Sequence, residues 1–193
     1  MKKSVQFLLL FLMCISASWT WASDAPERTV LFNMGDYDSQ YWRIPALVTA
    51  ADNSLVAVVD KRGSSLGDLP NTISIMSRRS TDNGKNWSEP VVVAQGGNGK
   101  TYGDPAVVLD KKTGNLICMF VGDQGLWNAT PYNRQGIYVS KSTDNGVSWS
   151  EPVAITDQVY ANHSGWYAGF AGSGHGLCLK DDSCHFCYRS PSS

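Results

Sequence analysis

One twelve-residue segment occurs twice in this chain of 193 residues. Ser80–Val91 recurs as Ser142–Val153, with substitutions at only two of the aligned positions. The copies start 62 residues apart, since 142 − 80 = 62. Recurrence at a fixed spacing indicates a repeated supersecondary unit. Because the spacing exceeds the roughly 20–50 residues of most structural repeats, we expect an extended loop inside the second unit, at residues 122–135.

Each copy of the repeat contains a turn built from residue types that serve structure. Consecutive Asp, Asn and Gly residues form a tight turn, since glycine adopts positive φ without steric cost. The aspartate can accept hydrogen bonds from turn amides, and the tryptophan can cover the turn and pack into the sheet edge. We therefore interpret the repeat as structural in preference to a ligand site. Its defining residues are Ser80, Asp82, Gly84, Trp87, Ser142, Asp144, Gly146 and Trp149.

Short apolar or alternating runs, separated by polar turns, surround each copy of the repeat. Such runs are typical of β-strands. Four strands per unit favour an all-β propeller in which each unit is one blade. We expect strands at 43–50, 54–60, 72–79 and 90–94 in the first unit, and at 105–109, 115–121, 136–141 and 152–155 in the second. These runs predict a first blade at about residues 43–95, a second at about 104–156 and the start of a third at about 168–193.

The N-terminal residues predict an export signal at residues 1–22. Two lysines precede an apolar run, Val5–Ile15, that is too short to span a bilayer. Cleavage after Ala22 would give a secreted or periplasmic protein. A buried helix of the mature fold is the alternative interpretation. Cys14 raises a lipoprotein anchor as a further option, which the methionine before it disfavours.

Four cysteines remain after removal of this signal. They are Cys118, Cys178, Cys184 and Cys187. Some of them could pair in an exported protein, and the sequence leaves the pairing open. Cys184 and Cys187 are spaced like half of a zinc site, but one such half without a second pair is weak evidence. We therefore expect no metal and no cofactor.

The charge balance limits the classes of partner. The formal net charge is −1, from 16 basic and 17 acidic residues. This balance provides no overall field to attract nucleic acid or an acidic membrane. Recognition of an anion must therefore come from a few placed residues, and we expect neither a nucleic-acid partner nor a membrane span.

The repeated motif, Ser-x-Asp-x-Gly-x-x-Trp, resembles the Asp box, or BNR repeat, of sialidases and related propellers. Asp boxes also occur in unrelated propellers, so by themselves they indicate fold more than activity. Tyr41–Pro45 is a more specific match, because it resembles the Arg-Ile-Pro motif that opens a sialidase domain. The resemblance covers about residues 29–180. It implies a six-bladed β-propeller of the sialidase type, of which the chain contains about the first two to three blades.

The resemblance assigns roles to three residues of the first unit. Arg43 matches one of three arginines that bind the sugar carboxylate in sialidases, where a guanidinium offers two parallel hydrogen bonds and a permanent charge. Arg62 matches a pocket residue, and Asp68 matches the acid/base that protonates the leaving glycosidic oxygen and later activates water. A surface arginine at a strand start and a solvated turn aspartate are the alternatives for Arg43 and Asp68.

The second unit adds a fourth candidate. Asp104 opens this unit, at a position from which a sialidase often reaches a hydroxyl or acylamino group of the sugar. An aspartate that only caps its own turn is an equal alternative. Trp127 and Tyr132, in the long insertion, are weaker candidates for the pocket rim. His175 lies in a glycine-rich segment and is interpreted as structural, because the family does not use a histidine base there.

The resemblance implies an exo-α-sialidase, which hydrolyses terminal sialic acids from glycoproteins, glycolipids or oligosaccharides with retention of configuration. The resemblance implies a tyrosine nucleophile, an activating glutamate and further arginines in later blades, with the tyrosine in place of the usual second carboxylate of glycosidases. We therefore expect little or no turnover from this chain alone. The main alternative is a non-catalytic propeller that binds carbohydrate or protein, and a propeller hydrolase acting on another sugar is a third.

Residues 181–190 lack the apolar pattern expected of a strand in the third unit. We hypothesise that the reading frame is lost near Asp182. Sequencing the gene around that codon tests this hypothesis.

Overall fold

The computed structural model describes residues 28–63, 65–163, 165–186 and 188–189. The export signal predicted at residues 1–22, with Cys14, lies outside the described residues, and so does Cys187 of the possible metal half-site. Among the described residues, no helix has the length and apolar character needed to cross a membrane.

The runs of the first unit form one four-stranded antiparallel sheet. Its strands are β1 (Tyr41–Thr49), β2 (Leu55–Arg62), β3 (Ile73–Ser80) and β4 (Val91–Ala94), which pair in sequence order. The first turn is closed by the Ser54 amide, which donates a 3.0 Å hydrogen bond to the carboxylate of Asp52. Asn53 takes a φ of 66° there, a conformation that asparagine tolerates well. The four predicted strands of this unit are confirmed, with their ends shifted by one or two residues.

The second unit repeats the plan. Its strands are β5 (Tyr102–Leu109), β6 (Leu116–Gly122), β7 (Gly136–Ser142) and β8 (Val153–Ala154), again antiparallel and in sequence order. A four-residue helix, α1 (Gly125–Asn128), lies in the long connection between β6 and β7. A five-residue helix, α2 (Thr156–Tyr160), follows the last strand. The four strands predicted for this unit are confirmed as well, with ends shifted by up to three residues.

The core lies between the two sheets. Aliphatic side chains of the first sheet, including Val56, Val58 and Ile75, form one buried cluster with residues of the second, including Leu116 and Phe120. All five side chains are fully buried. Each sheet has one apolar face that must be covered, and face-to-face packing covers both at once. This packing places the end of the first sheet where β1 begins and β2 ends against the end of the second sheet where β5 begins and β6 ends. These two ends are called the mouths of the sheets.

The two copies of the repeat form the same turn. Asp82 accepts hydrogen bonds from the Ser80 hydroxyl at 2.8 Å and from the Asn86 amide at 2.9 Å. Asp144 does the same with the Ser142 hydroxyl at 2.7 Å and the Ser148 amide at 2.9 Å. These bonds to the charged form lower the pKa of Asp82 to about 2. In both copies the aspartate therefore holds its own turn together.

The C-terminal described residues include five short strands. They are β9 (Phe170–Ala171), β10 (Gly174–His175), β11 (Leu177–Cys178), β12 (Cys184–His185) and β13 (Tyr188–Arg189). Strand β10 extends the second sheet by parallel pairing with β5, while β11 pairs with β12 and β9 with β13. A disulfide joins Cys178 to Cys184 across the β11–β12 pair, and Cys118 is a free, buried thiol. The sequence had left this pairing open.

Candidate active site

The first strand of each sheet is interrupted at the residue before a proline. Ile44 (φ 55°) and Asp104 (φ 57°) both take a left-handed backbone conformation, and the register with the neighbouring strand shifts at both places. Such a conformation is uncommon outside glycine and strained for a β-branched residue. Bulges of this kind redirect side chains and are enriched beside active sites. Because β1 and β5 contact each other, the two bulges border one hollow.

Arg43 lies immediately before the first bulge, with 43% of its side chain exposed. Its Nη1 donates to the carbonyl oxygen of Leu66 at 3.2 Å and makes a longer contact, 3.5 Å, with the carboxylate of Asp68. No hydrogen bond to another described residue engages its Nε or Nη2. The guanidinium of Arg43, which carries a permanent positive charge, therefore has N–H groups available to a ligand in the hollow.

Arg62, at the end of β2, is 1% exposed. Its Nη1 donates to the carboxylate of Asp68 at 2.7 Å and to the carbonyl oxygens of Leu66 at 3.0 Å and Gly67 at 3.1 Å. Its Nε and Nη2 donate to one oxygen of Asp60, at 3.3 and 2.9 Å. Burial works against the charge of Arg62, but the bonds to Asp68 and Asp60 outweigh it and raise the pKa of the guanidinium.

Asp68 lies in the loop of residues 65–71, which leads from β2 toward β3. Its side chain is 58% exposed. The side-chain amide of Asn71 donates to the Asp68 carbonyl oxygen at 2.8 Å, and the Gly67 amide donates to the Ser65 hydroxyl at 3.0 Å. Local bonds therefore shape the 65–71 loop, and Arg62 holds it against the sheet. The carboxylate of Asp68 is kept at the rim, within reach of both solvent and the two arginines.

Asp104 forms the second bulge and is partly buried. Its backbone amide donates to Asp60 at 3.1 Å. Burial raises the pKa of the Asp104 carboxyl, and the positive charge of Arg62 partly offsets the shift. A partly desolvated carboxyl at this position can accept from, or when protonated donate to, a neutral polar group of a ligand.

All four residues proposed from the sequence line the same hollow, whose volume is about 210 Å³. Its other walls include Leu126 and Trp127 from the long insertion, together with Gln135 and Ser173. Trp127 is 80% exposed at the rim.

Two other residues discussed from the sequence lie away from the hollow. Tyr132 is fully exposed and is not among the residues that line it. His175 is an exposed residue of β10, paired with Val107, and it does not line the hollow either. The structure thus brings the four main candidates together and separates His175 and Tyr132 from them.

Sequence reasoning missed two buried residues that support the hollow. Asp60, 0% exposed, lies behind Arg62. The signal for it was present, because residues two apart on a strand point to the same face and Asp60 and Arg62 are two apart. Gln135, 1% exposed, accepts a 2.9 Å hydrogen bond from the Gly169 amide and ties the insertion to the C-terminal segment. Nothing local in the sequence marks Gln135, since its partner lies 34 residues away.

Similarity to known proteins extends over most of the chain. The family model described as a BNR repeat-like domain matches residues 44–191. The chain belongs to the BNR repeat-like domain family. This BNR repeat-like domain is 33% identical over 171 residues to a sialidase of Bacteroides fragilis, a match that covers 79% of the chain. It is 35% identical over 151 residues to a sialidase of Micromonospora viridifaciens, a match that covers 72% of the chain.

The BNR repeat-like domain spans 31% of the length of the first of these relatives and 23% of the second. Among solved structures, the Hadza microbial sialidase Hz136 matches with a TM-score of 0.70 at 30% identity, over 79% of this chain and 33% of that one. A leech intramolecular trans-sialidase matches with a TM-score of 0.76 over 88% of this chain and 43% of that one, at 15% identity, which speaks to the fold alone. The fold is that of part of a sialidase-type β-propeller, and the similarities support a sialidase-like function.

Proposed function

We propose that this chain supplies one side of the active site of an exo-α-sialidase, an enzyme that removes terminal sialic acids from glycoproteins, glycolipids or oligosaccharides. One observation carries the proposal: Arg43, Arg62, Asp68 and Asp104 line a single hollow. They come from two sheets and from positions up to about 60 residues apart along the chain, since 104 − 43 = 61.

Arg43 is the carboxylate-binding residue in this proposal. Its side chain is 43% exposed, and hydrogen bonds to described residues engage only its Nη1. The contact with Asp68 is 3.5 Å long between two exposed groups, and such ion pairs contribute little. The carboxylate of a sugar can therefore displace this contact and form the paired hydrogen bonds that a guanidinium prefers. The displacement would leave Asp68 free to face the glycosidic bond.

Asp68 is the acid/base in this proposal. It stands at the rim on the 65–71 loop, where its carboxyl group can reach a leaving glycosidic oxygen. Arg62 is the residue that places it, through the 2.7 Å bond from Nη1. A protonated Asp68 would donate to the leaving oxygen while the proposed tyrosine forms a bond to the anomeric carbon. The resulting Asp68 carboxylate would then accept a proton from the water that displaces this tyrosine.

Asp104 is the residue that contacts the sugar ring in this proposal. Because burial raises the pKa of the Asp104 carboxyl, this carboxyl suits an uncharged hydroxyl or acylamino group of the sugar better than a charged group. Trp127, at the rim of the hollow, would offer an apolar face to the same ring.

The nucleophile is not among the residues that line the described hollow, none of which is a tyrosine. We therefore expect the described pocket to bind a sialic acid without turning it over, and we propose that a tyrosine, a glutamate and further arginines complete the site in the assembled propeller. Export by the segment at residues 1–22 would bring such an enzyme to its glycan substrates.

The decisive experiment compares two ligands that differ in one charge. N-acetylneuraminic acid is titrated into the full-length protein, followed by its methyl ester, which has no carboxylate charge. We expect the acid to bind, the ester to bind at least about tenfold more weakly, and Arg43→Ala to remove this preference. Lys61→Ala is the matched control, because Lys61 follows Asp60 on the opposite strand face and lines a separate hollow.

Equal affinity for acid and ester, or no effect of Arg43→Ala, would contradict the proposal. Release of sugar from a fluorogenic sialoside is measured on an assembled propeller that contains the proposed tyrosine and glutamate, because we expect no turnover from this chain alone. Selective binding without any hydrolysis by that assembled propeller would favour a non-catalytic, sugar-binding propeller.

A further inference from the structure

A single buried carboxylate joins the two halves of the candidate site. Asp60 is 0% exposed and lies between the mouths of the two sheets. One of its oxygens accepts from Nε and Nη2 of Arg62, at 3.3 and 2.9 Å. The other accepts from the backbone amide of Asp104, at 3.1 Å. A charge buried to this degree persists only where partners replace the lost water, and Asp60 has one partner in each sheet.

Arg62 extends this connection to the rim. The same guanidinium that binds Asp60 through Nε and Nη2 holds the 65–71 loop through Nη1. It contacts two loop carbonyl oxygens and the carboxylate of Asp68. An unbroken series of hydrogen bonds therefore runs from the bulge at Asp104, through Asp60 and Arg62, to Asp68.

We propose that Asp60 is a positioning residue that holds the proposed acid/base, Asp68, and the proposed sugar contact, Asp104, in a fixed relation across the two sheets. It does so without touching substrate, through Arg62 on one side and a backbone amide on the other. The role rests on the proposed function, but the structural connection exists independently of it. Loss of the Asp60 charge releases both sides at once.

Several charged or titratable groups face Asp60, so any pH dependence of the site must be assigned among them. They are Arg62 on its own strand, Asp104 on β5, Arg43 opposite it on β1, Cys118 on β6 and, through Arg62, Asp68 on the loop. Burial raises the pKa of Asp60 to about 7, with Arg62 opposing the shift. Burial also raises the pKa of Asp104. A proton taken up by Asp60 weakens its hold on Arg62, whereas one taken up by Asp104 leaves that bond in place.

The first test follows the wild-type chain by NMR while the pH is lowered from about 8 to about 5.5, a window centred on the raised Asp60 pKa. We expect the Asp104 backbone amide, the Arg62 Nε–H and the amides of residues 66–68 to shift with one common midpoint. A common midpoint is also expected in Asp104→Asn, because that variant retains the amide and Asp60, but at lower pH, since the charge of Asp104 helps to raise the pKa of Asp60. Loop amides that stay fixed while the Asp104 amide moves would overturn the positioning role.

The second test measures affinity for N-acetylneuraminic acid over the same pH range in two variants. Asp60→Asn keeps the shape but never carries the charge, so we expect at least about tenfold weaker binding at high pH and loss of the affinity change centred near pH 7. Asp104→Asn is expected to retain the pH dependence. Asp60→Glu restores a charge and is expected to recover part of the affinity. Wild-type affinity and pH dependence in Asp60→Asn would refute the inference.

The two tests fail separately. If neither wild type nor variant binds the sugar, the proposed function is wrong, and the NMR titration alone decides whether Asp60 couples the loop to Asp104. If the sugar binds but the titration shows no coupling, the proposed function stands and the role of Asp60 is wrong. If Asp60→Asn does not fold, the wild-type and Asp104→Asn titrations decide the matter.

Discussion

The two blades of the molecule share one backbone plan and differ in what they carry at its mouth. In the first blade, Arg43 pairs with Asp60 just before the bulge. In the second, the paired residues at the same point are Gly103 and Val121. The repeated fold unit therefore supplies equivalent strands and bulges, and the charged pair at this position is present in the first blade and replaced by uncharged residues in the second.

The outer ends of the blades differ in a second way. Trp87 donates from its indole nitrogen to the Gly84 carbonyl oxygen of its own turn, at 2.9 Å. Trp149 donates to the Ser77 hydroxyl of the neighbouring blade, also at 2.9 Å. The same motif thus closes a local turn in one blade and joins two blades in the other. Identical residues acquire different roles because only the second copy has a described blade packed against it.

The glycine of the repeat should give the largest contrast between the copies. Gly84 and Gly146 have φ values of 86° and 87°, so alanine is strained at both by about 1–2 kcal/mol. At Gly146 a Cβ would also lie 2.7 Å from Val56, whereas at Gly84 the nearest atom is 3.7 Å away. We expect Gly146→Ala to lower the free energy of unfolding by about 3 kcal/mol, and Gly84→Ala by about 1 kcal/mol.

Urea denaturation of both variants measures the difference. Equal losses would mean that the second repeat does not pack on the first blade as described.

The charged mouth of the first blade should dominate anion recognition. We expect Arg43→Ala to weaken binding of N-acetylneuraminic acid by roughly 10- to 100-fold, the range for a lost charge-assisted pair of hydrogen bonds. Isothermal titration calorimetry provides the measurement. Asp123→Ala, at the mouth of the second blade, is the comparison, because its carboxylate accepts from the Tyr138 hydroxyl at 2.9 Å outside the hollow. A similar loss in both variants would remove the distinction between the mouths.

The mouth and the outer turn should respond to pH with opposite signs. Asp60 has a pKa raised to about 7 by burial, so its contribution to stability is present below the ordinary pKa and is lost as the pH rises through 7. Asp82 has a pKa lowered to about 2, so its contribution is present above the ordinary pKa and is lost as the pH falls toward 2. We expect a slope of at most about 1.4 kcal/mol per pH unit from Asp60.

Thermal unfolding at a series of pH values tests both signs. Asp60→Asn should flatten the curve near neutrality and leave the acid limb unchanged. Stability of the wild type that rises with pH through 7 would show the sign for Asp60 to be wrong, unless Asp60→Asn shows the same rise.

The two tryptophans should give the smallest contrast. Trp149→Phe removes the only described donor to the Ser77 hydroxyl, a residue that is 1% exposed. Trp87→Phe removes a donor from a turn that water can reach. We expect Trp149→Phe to cost about 1 kcal/mol more in free energy of unfolding than Trp87→Phe. Chemical denaturation resolves this difference, and a larger loss for Trp87→Phe would contradict it.

Much of the fold could be predicted from the sequence because its signals are local. The positions of the eight strands follow from alternating or apolar runs bounded by turn residues such as those at 51–53. The repeated turns follow from Asp82 and Asp144, whose bonds reach only four residues along the chain. Arg43, Arg62, Asp68 and Asp104 were predictable only through a family resemblance, since nothing in their spacing shows that they meet.

The sequence by itself determined the repeated β unit, its turns and the residue types available for a charged pocket. Only the tertiary structure decided that β1 and β5 lie side by side, that Trp149 reaches the neighbouring blade, and that Asp60 serves both Arg62 and the Asp104 amide. The physical reason is how far apart along the chain the interacting residues lie. Turns and strands depend on neighbours a few residues away, whereas a buried carboxylate finds a partner 44 residues along the chain only after two apolar faces have packed together.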